Sequence, residues 1–197
     1  MVRVLHILVA LLLVQGTAQA GSTDFSLRLA RGTTAEKAAA VQLRRLIDQY
    51  DVSRLSFTYS IMINEYDAPH SFPVLTLNAV YLKDDASALS TFLHEQLHWY
   101  GLVNQTAVDA AITDLKALYP TVPVGNGEGA SDEYSTYVHL IVGLQEYDAT
   151  ASYLGRTEAK RVIMGKRHYK WIYNAVIENA DAIRAILHKH GLDDPST

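Results

Sequence analysis

Two histidines four residues apart, with a glutamate directly after the first, form the stretch His94-Glu95-Gln96-Leu97-His98. On an α-helix of about 3.6 residues per turn, His94 and His98 stack one turn apart on a single face, so both imidazoles can bind one metal ion. Glu95 is rotated by about 100° from His94. That suits a base taking a proton from water better than a third ligand. The expected metal is Zn²⁺, which at a catalytic site normally takes three protein ligands, so one more must come from elsewhere in the chain.

Four downstream groups compete for that role. His139 and Glu146 lie seven residues apart in a strongly apolar stretch, so on a helix both face the same way. Either could complete the site, and the other could orient a ligand from behind. Glu128 is a weaker candidate because it sits among glycines. Glu133 falls in the first turn of a helix, where the dipole already explains an acid. A hydrolytic site also needs a donor for a developing oxyanion. Tyr169 is the first choice, with His168, Tyr173, Tyr147 and His70 behind it. Tyr169 and Tyr173 lie on an apolar stripe and have an alternative role as core residues.

These groups must be positioned by a mostly helical α+β chain. Thr33-Thr34-Ala35-Glu36 has the form of a capping box before a helix to about Tyr50. Apolar residues alternate from Leu55 to Ile63, the period of a half-buried strand. Val74 to Leu82 is a second strand candidate. The motif helix should begin near Asp85 or Ser87 and end before Gly101. Further helices are expected over 105–118, over about 132–153 with Ser131 as cap, over 157–166, and over 168–190. The basic stretch from Arg156 to Lys170 reads as a solvated helix face.

The motif resembles that of the zincin metallopeptidases, whose active-site helix carries His-Glu-x-x-His. Glu146-Tyr147-Asp148-Ala149 is similar to the second motif of gluzincins, and Glu128-Gly-Ala-Ser131-Asp132 to the Glu-x-x-Ser-Asp of thermolysin-like enzymes. Asn104 occupies the place of the third histidine of metzincins, so that elongated motif is absent. The resemblance implies a small twisted sheet before the motif helix, with an edge strand over the cleft. Residues 74–78, or the strand before them, would be that edge. It also implies a zinc peptidase whose substrate is a peptide or protein.

Composition narrows the alternatives. Met1 to Ala20 has a basic start, an apolar run and Ala18-Gln19-Ala20, the pattern of a cleaved secretory leader. The chain is therefore expected to be secreted or periplasmic, with residues 21–197 as one domain and no stable membrane anchor after cleavage. Those 177 residues carry 16 basic and 21 acidic groups, which argues against a nucleic-acid partner. There is no cysteine, so thiolate ligands and disulfides are excluded. The expected function is a secreted zinc-dependent hydrolase, most simply a peptidase. Its rival is a secreted helical binding or inhibitory protein with a structural or inactive metal site.

Overall fold

The computed structural model describes residues 25–196 of the chain, so the expected leader lies outside the described residues. Three short strands, β1 (Ser26–Leu29), β2 (Ser60–Ile63) and β3 (Leu75–Leu77), form a parallel sheet in that order. Ser26 pairs with Ser60, and Ile61 with Leu75. Seven α-helices follow or interleave: α1 (Thr34–Gln49), α2 (Asp85–Val103), α3 (Gln105–Leu118), α4 (Glu133–Leu154), α5 (Arg156–Met164), α6 (Lys170–Glu178) and α7 (Ala180–Lys189). The fold is α+β and mostly helical.

The capping box before α1 is present in full. Thr33 accepts from the Glu36 amide, and Glu36 reaches back to the Thr33 amide. The alternating stretch before β2 differs from expectation. Only Ser60–Ile63 is strand, and Ser53–Leu55 is a single 3-10 turn. The cause is Gln96 on α2, whose Oε1 accepts from the amides of Phe57 and Thr58 at 2.8 and 3.0 Å. Its Nε2 donates to the Thr58 carbonyl at 2.8 Å. A side-chain amide thus satisfies backbone groups that a neighbouring strand would otherwise pair.

The second strand candidate is also shorter than its hydropathy suggested, because the chain turns after β3. The outer edge of β3 is covered by its own preceding loop, where His70 and Thr76 exchange backbone hydrogen bonds in antiparallel sense. Helix α2 is capped by Asp84, one residue before the expected start, with its carboxylate accepting from the Ser87 amide. The helix runs through Gly101 and ends at Asn104. A side chain at Gly101 would meet only Val108, at ordinary contact distance, so nothing forces a break there. Asp132, not Ser131, caps α4. The expected last helix is two, α6 and α7, joined at Asn179.

Two apolar clusters make the core. Strands β1–β3, α1 and the first half of α2 enclose one, around Leu46, Ile61, Ile63 and Phe92. Helices α3–α7 enclose the other, around Leu115, Tyr137, Leu140 and Val176. Helices α2 and α4 pack antiparallel and span the seam, since Ser90 meets Glu146 near one end and His98 meets His139 near the other. Residues 89–97 of α2 are all buried, so this helix is enclosed on every side. Burial of that kind leaves few ways for its polar side chains to point except at one another.

Candidate metal centre

His94 and His98 present Nε2 atoms 3.2 Å apart from consecutive turns of α2. His139 arrives from α4, with its ring centroid 4.8 Å from that of His98 and 5.5 Å from that of His94. One ligand nitrogen from each of the three lies within 4.8 Å of the others. These three side chains could hold a metal ion.

Each ring of the α2–α4 pair is turned by a partner on its far side. The Nδ1 of His94 lies 2.8 Å from Glu146 Oε2. The Nδ1–H of His139 donates to the Ser135 carbonyl one turn earlier in its own helix, at 2.7 Å. A hydrogen bond at Nδ1 fixes the tautomer and leaves Nε2 as the ligand atom. Burial, followed by the proximity of His94, drives the pKa of His139 down from 6.5 to about 4. His98 is held well below its ordinary value, first by burial and then by its two neighbours. Neutral imidazoles are the form that binds metals.

Glu146 does not join the three histidines, contrary to one of the two expectations for it. Its carboxylate stands behind His94 with both oxygens occupied. Ser90 Oγ and Lys166 Nζ donate to Oε1, and Tyr173 donates to Oε2 at 2.7 Å, alongside His94. Burial works to raise the Glu146 pKa, but Lys166 and His94 outweigh it and hold the group anionic. Among the lesser candidates, Tyr173 is raised well above its usual value, by burial and then by Glu146, and is committed to that carboxylate. Lys166 corrects the reading of 156–170 as a solvated face, because α5 ends at Met164 and releases Lys166 inward. Glu128 is exposed in its loop and is not part of the cluster.

Glu95 is buried, and its Oε2 accepts from Ser71 Oγ at 2.6 Å. The loop carrying Ser71 is fastened to α2 a second time, where Trp99 Nε1 donates to the Ser71 carbonyl at 3.0 Å. Phe72 packs its ring 4.9 Å from that of Trp99. Neither Ser71 nor Trp99 carries a local sequence signal for this role. Contact at such separation comes only with the fold.

Tyr169 covers the cluster from the start of α6, its ring centroid 4.3 Å from that of His139 and 6.4 Å from that of His94. Its backbone is left-handed, with φ of 63°, a conformation that costs a non-glycine residue about 1 kcal/mol or more. The following amide, Lys170 N–H, donates to Gly127 O at 2.9 Å and helps to hold it there. The Gly127 loop depends in turn on Gly129, where a Cβ would lie 1.8 Å from the Pro123 carbonyl oxygen. Burial, then the charge of Glu95, raises the Tyr169 pKa, so the phenol keeps its proton. His168 is exposed beside it, and Tyr147 lies in the helical core. His70 lies in the loop over β3, with Nδ1 2.9 Å from Ala68 O.

No protein-family model, curated protein or solved structure matches this chain. The chemistry of the site therefore has to be read from its own geometry.

Proposed function

We propose that the protein is an exported zinc-dependent hydrolase of zincin-like fold that cleaves peptide bonds. The observation that carries this reading is the convergence of His139 on the His94/His98 pair, with Glu95 beside them on the same helix. Three imidazoles, two with their outer nitrogens already hydrogen-bonded, fit Zn²⁺, which binds such sets and keeps a further position for water or substrate. When bound there, zinc would supply Lewis-acid polarisation of the scissile carbonyl and activation of water.

The chain's own groups do the rest. Glu95, oriented by Ser71, would take a proton from the attacking water and return it to the leaving amine. Tyr169 would donate its phenolic proton in a hydrogen bond to the developing oxyanion. Lys166, Ser90 and Tyr173 keep Glu146 fixed and charged against His94. A small sheet ahead of the motif helix supports the zincin-like reading, although the outer edge of β3 is paired to its own loop rather than open over a cleft. Export is supported by the leader-like pattern of residues 1–20.

A structural metal site is the second reading. It is favoured by burial: His94, Glu95 and His139 are 6%, 5% and 8% exposed. Metal analysis and hydrolysis of an unfolded protein substrate separate the two. The first reading expects about one zinc per chain and activity that falls by about 10²–10⁴ in Glu95→Gln, with zinc retained. Zinc without Glu95-dependent hydrolysis selects the structural site, and protein that takes up no zinc removes both.

A further inference from the structure

Beside the metal centre lies a cavity of about 160 Å³, and His98 belongs to both. Gly101 at the end of α2, Val138 and Val142 on α4, and Leu192 after α7 line it, with Phe72 at the loop that carries Ser71. Apart from His98, its polar side chains are already hydrogen-bonded. Gln145 donates to Leu192 O at 2.7 Å, Tyr100 to Gly191 O at 3.3 Å, and Gln105 and Tyr134 both use Asp109. What remains facing the space is largely hydrocarbon. Three of its lining residues, Phe72, Leu102 and Tyr134, are 45–49% exposed although large and apolar. An enclosed apolar cavity of about 150 Å³ is large enough to take a benzene ring.

From these features we infer that this cavity receives an uncharged, large apolar side chain of the substrate, of the phenylalanine, leucine or methionine class, next to the bond cleaved at the metal centre. The inference rests on the hydrolase reading. A charged side chain would leave water for a wall that is largely hydrocarbon and carries no opposite charge, which is costly. A small one would leave the space unfilled. A single methylene gained or lost in a hydrophobic pocket is worth about 10–200-fold in kcat/KM. Phe72 links the pocket to the catalytic base, because its neighbour Ser71 holds Glu95.

The test fills the cavity from Gly101. Glycine there has helical backbone and open contact to Val108, so Gly101→Leu improves helix propensity while placing four carbons in the space. Val138→Phe, from the facing helix, is the second variant should the first not fold. Zinc-loaded full-length protein is titrated with N-acetyl-phenylalaninamide and followed by NMR shifts of the Leu102 and Val142 amides, which line the cavity in every variant. The same preparations then cleave a peptide set differing only in Phe, Leu, Ala, Asp or Lys beside the bond. We expect probe binding in the unaltered protein and its loss in the filled variant. We also expect kcat/KM for the Phe and Leu peptides to fall ten- to hundredfold relative to Ala, with zinc content unchanged. Cleavage without apolar preference, or a preference that survives filling, overturns the pocket while leaving the hydrolase reading intact. Probe binding lost on filling, but with no Glu95-dependent cleavage of any peptide, overturns the hydrolase reading and the pocket's role as a substrate site together.

Discussion

The candidate metal centre has two unlike flanks. Behind His94 it is closed: Glu146, with no exposed surface, gathers a serine, a lysine, a tyrosine and the imidazole onto two oxygens. Beside His98 it opens into an apolar cavity that no charged side chain lines. A buried carboxylate is tolerable only when every lone pair is satisfied and its charge is matched. That flank therefore cannot also admit a ligand without undoing itself. The other flank holds no charge that must stay paired, so it can lose water to an incoming side chain. Rigidity and access are placed on opposite sides of three imidazoles.

The difference can be broken at several points. The largest effect should come from His139→Ala, which removes the only metal-cluster side chain contributed by α4 among the described residues. Zinc content should fall from about one per chain to near none, read by metal analysis after dialysis, whereas Glu128→Ala should keep its full complement. Glu146→Ala comes next. It strands Lys166 in a poorly solvated site, and losing one member of a buried pair costs about 3–5 kcal/mol, measurable by urea unfolding. Zinc affinity in that variant should fall only about 10–100-fold, as for other partners that orient a ligand. Replacing Lys166 by Met in the same chain should recover part of the stability and none of the affinity.

Smaller effects sharpen the contrast. Ser71→Ala frees Glu95 without touching the histidines, so kcat should drop by about tenfold, near the low end for a lost supporting partner. KM and zinc stoichiometry should hold. A separate effect is expected in the metal-free protein as acid is added. His139 and His98 are held below their unfolded value of 6.5, so below that pH the unfolded chain takes up protons first. Their contribution is intact above about 6.5 and is lost as pH falls, levelling near 4 for His139. Glu146, held below its usual 4.5, adds further loss under more acidic conditions. Urea midpoints at constant ionic strength between pH 7 and 4 should decline steadily. A midpoint that rises on acidification would place protonated imidazoles in the folded state.

How much of this could be read beforehand depends on distance along the chain. The His94/His98 pair is fixed by helical periodicity, and the seven-residue spacing of His139 and Glu146 does put both against α2. It does not reveal that α2 and α4 run antiparallel. That direction sends His139 to the ligand side and Glu146 behind His94, beside Ser90. Lys166 reads as solvated in the sequence because its neighbours are polar; Gly165, at the C-cap of α5, is the only local hint of a change in direction. Asn179 divides α6 from α7 although apolar periodicity runs on through both. The alternation before β2 failed as a strand signal because a side chain far along the chain had already claimed those amides.

That side chain, Gln96, occupies a position that the His-Glu-x-x-His pattern leaves blank. With both ends of its carboxamide engaged, it behaves as a surrogate peptide unit, a one-residue graft of sheet onto helix. Displacement of the segment leading into β2 would therefore tug on the turn between His94 and His98. In this protein the blank letter is a constraint of its own: a pattern search ignores it, and transplanting the five residues into another helix would leave it without its partner.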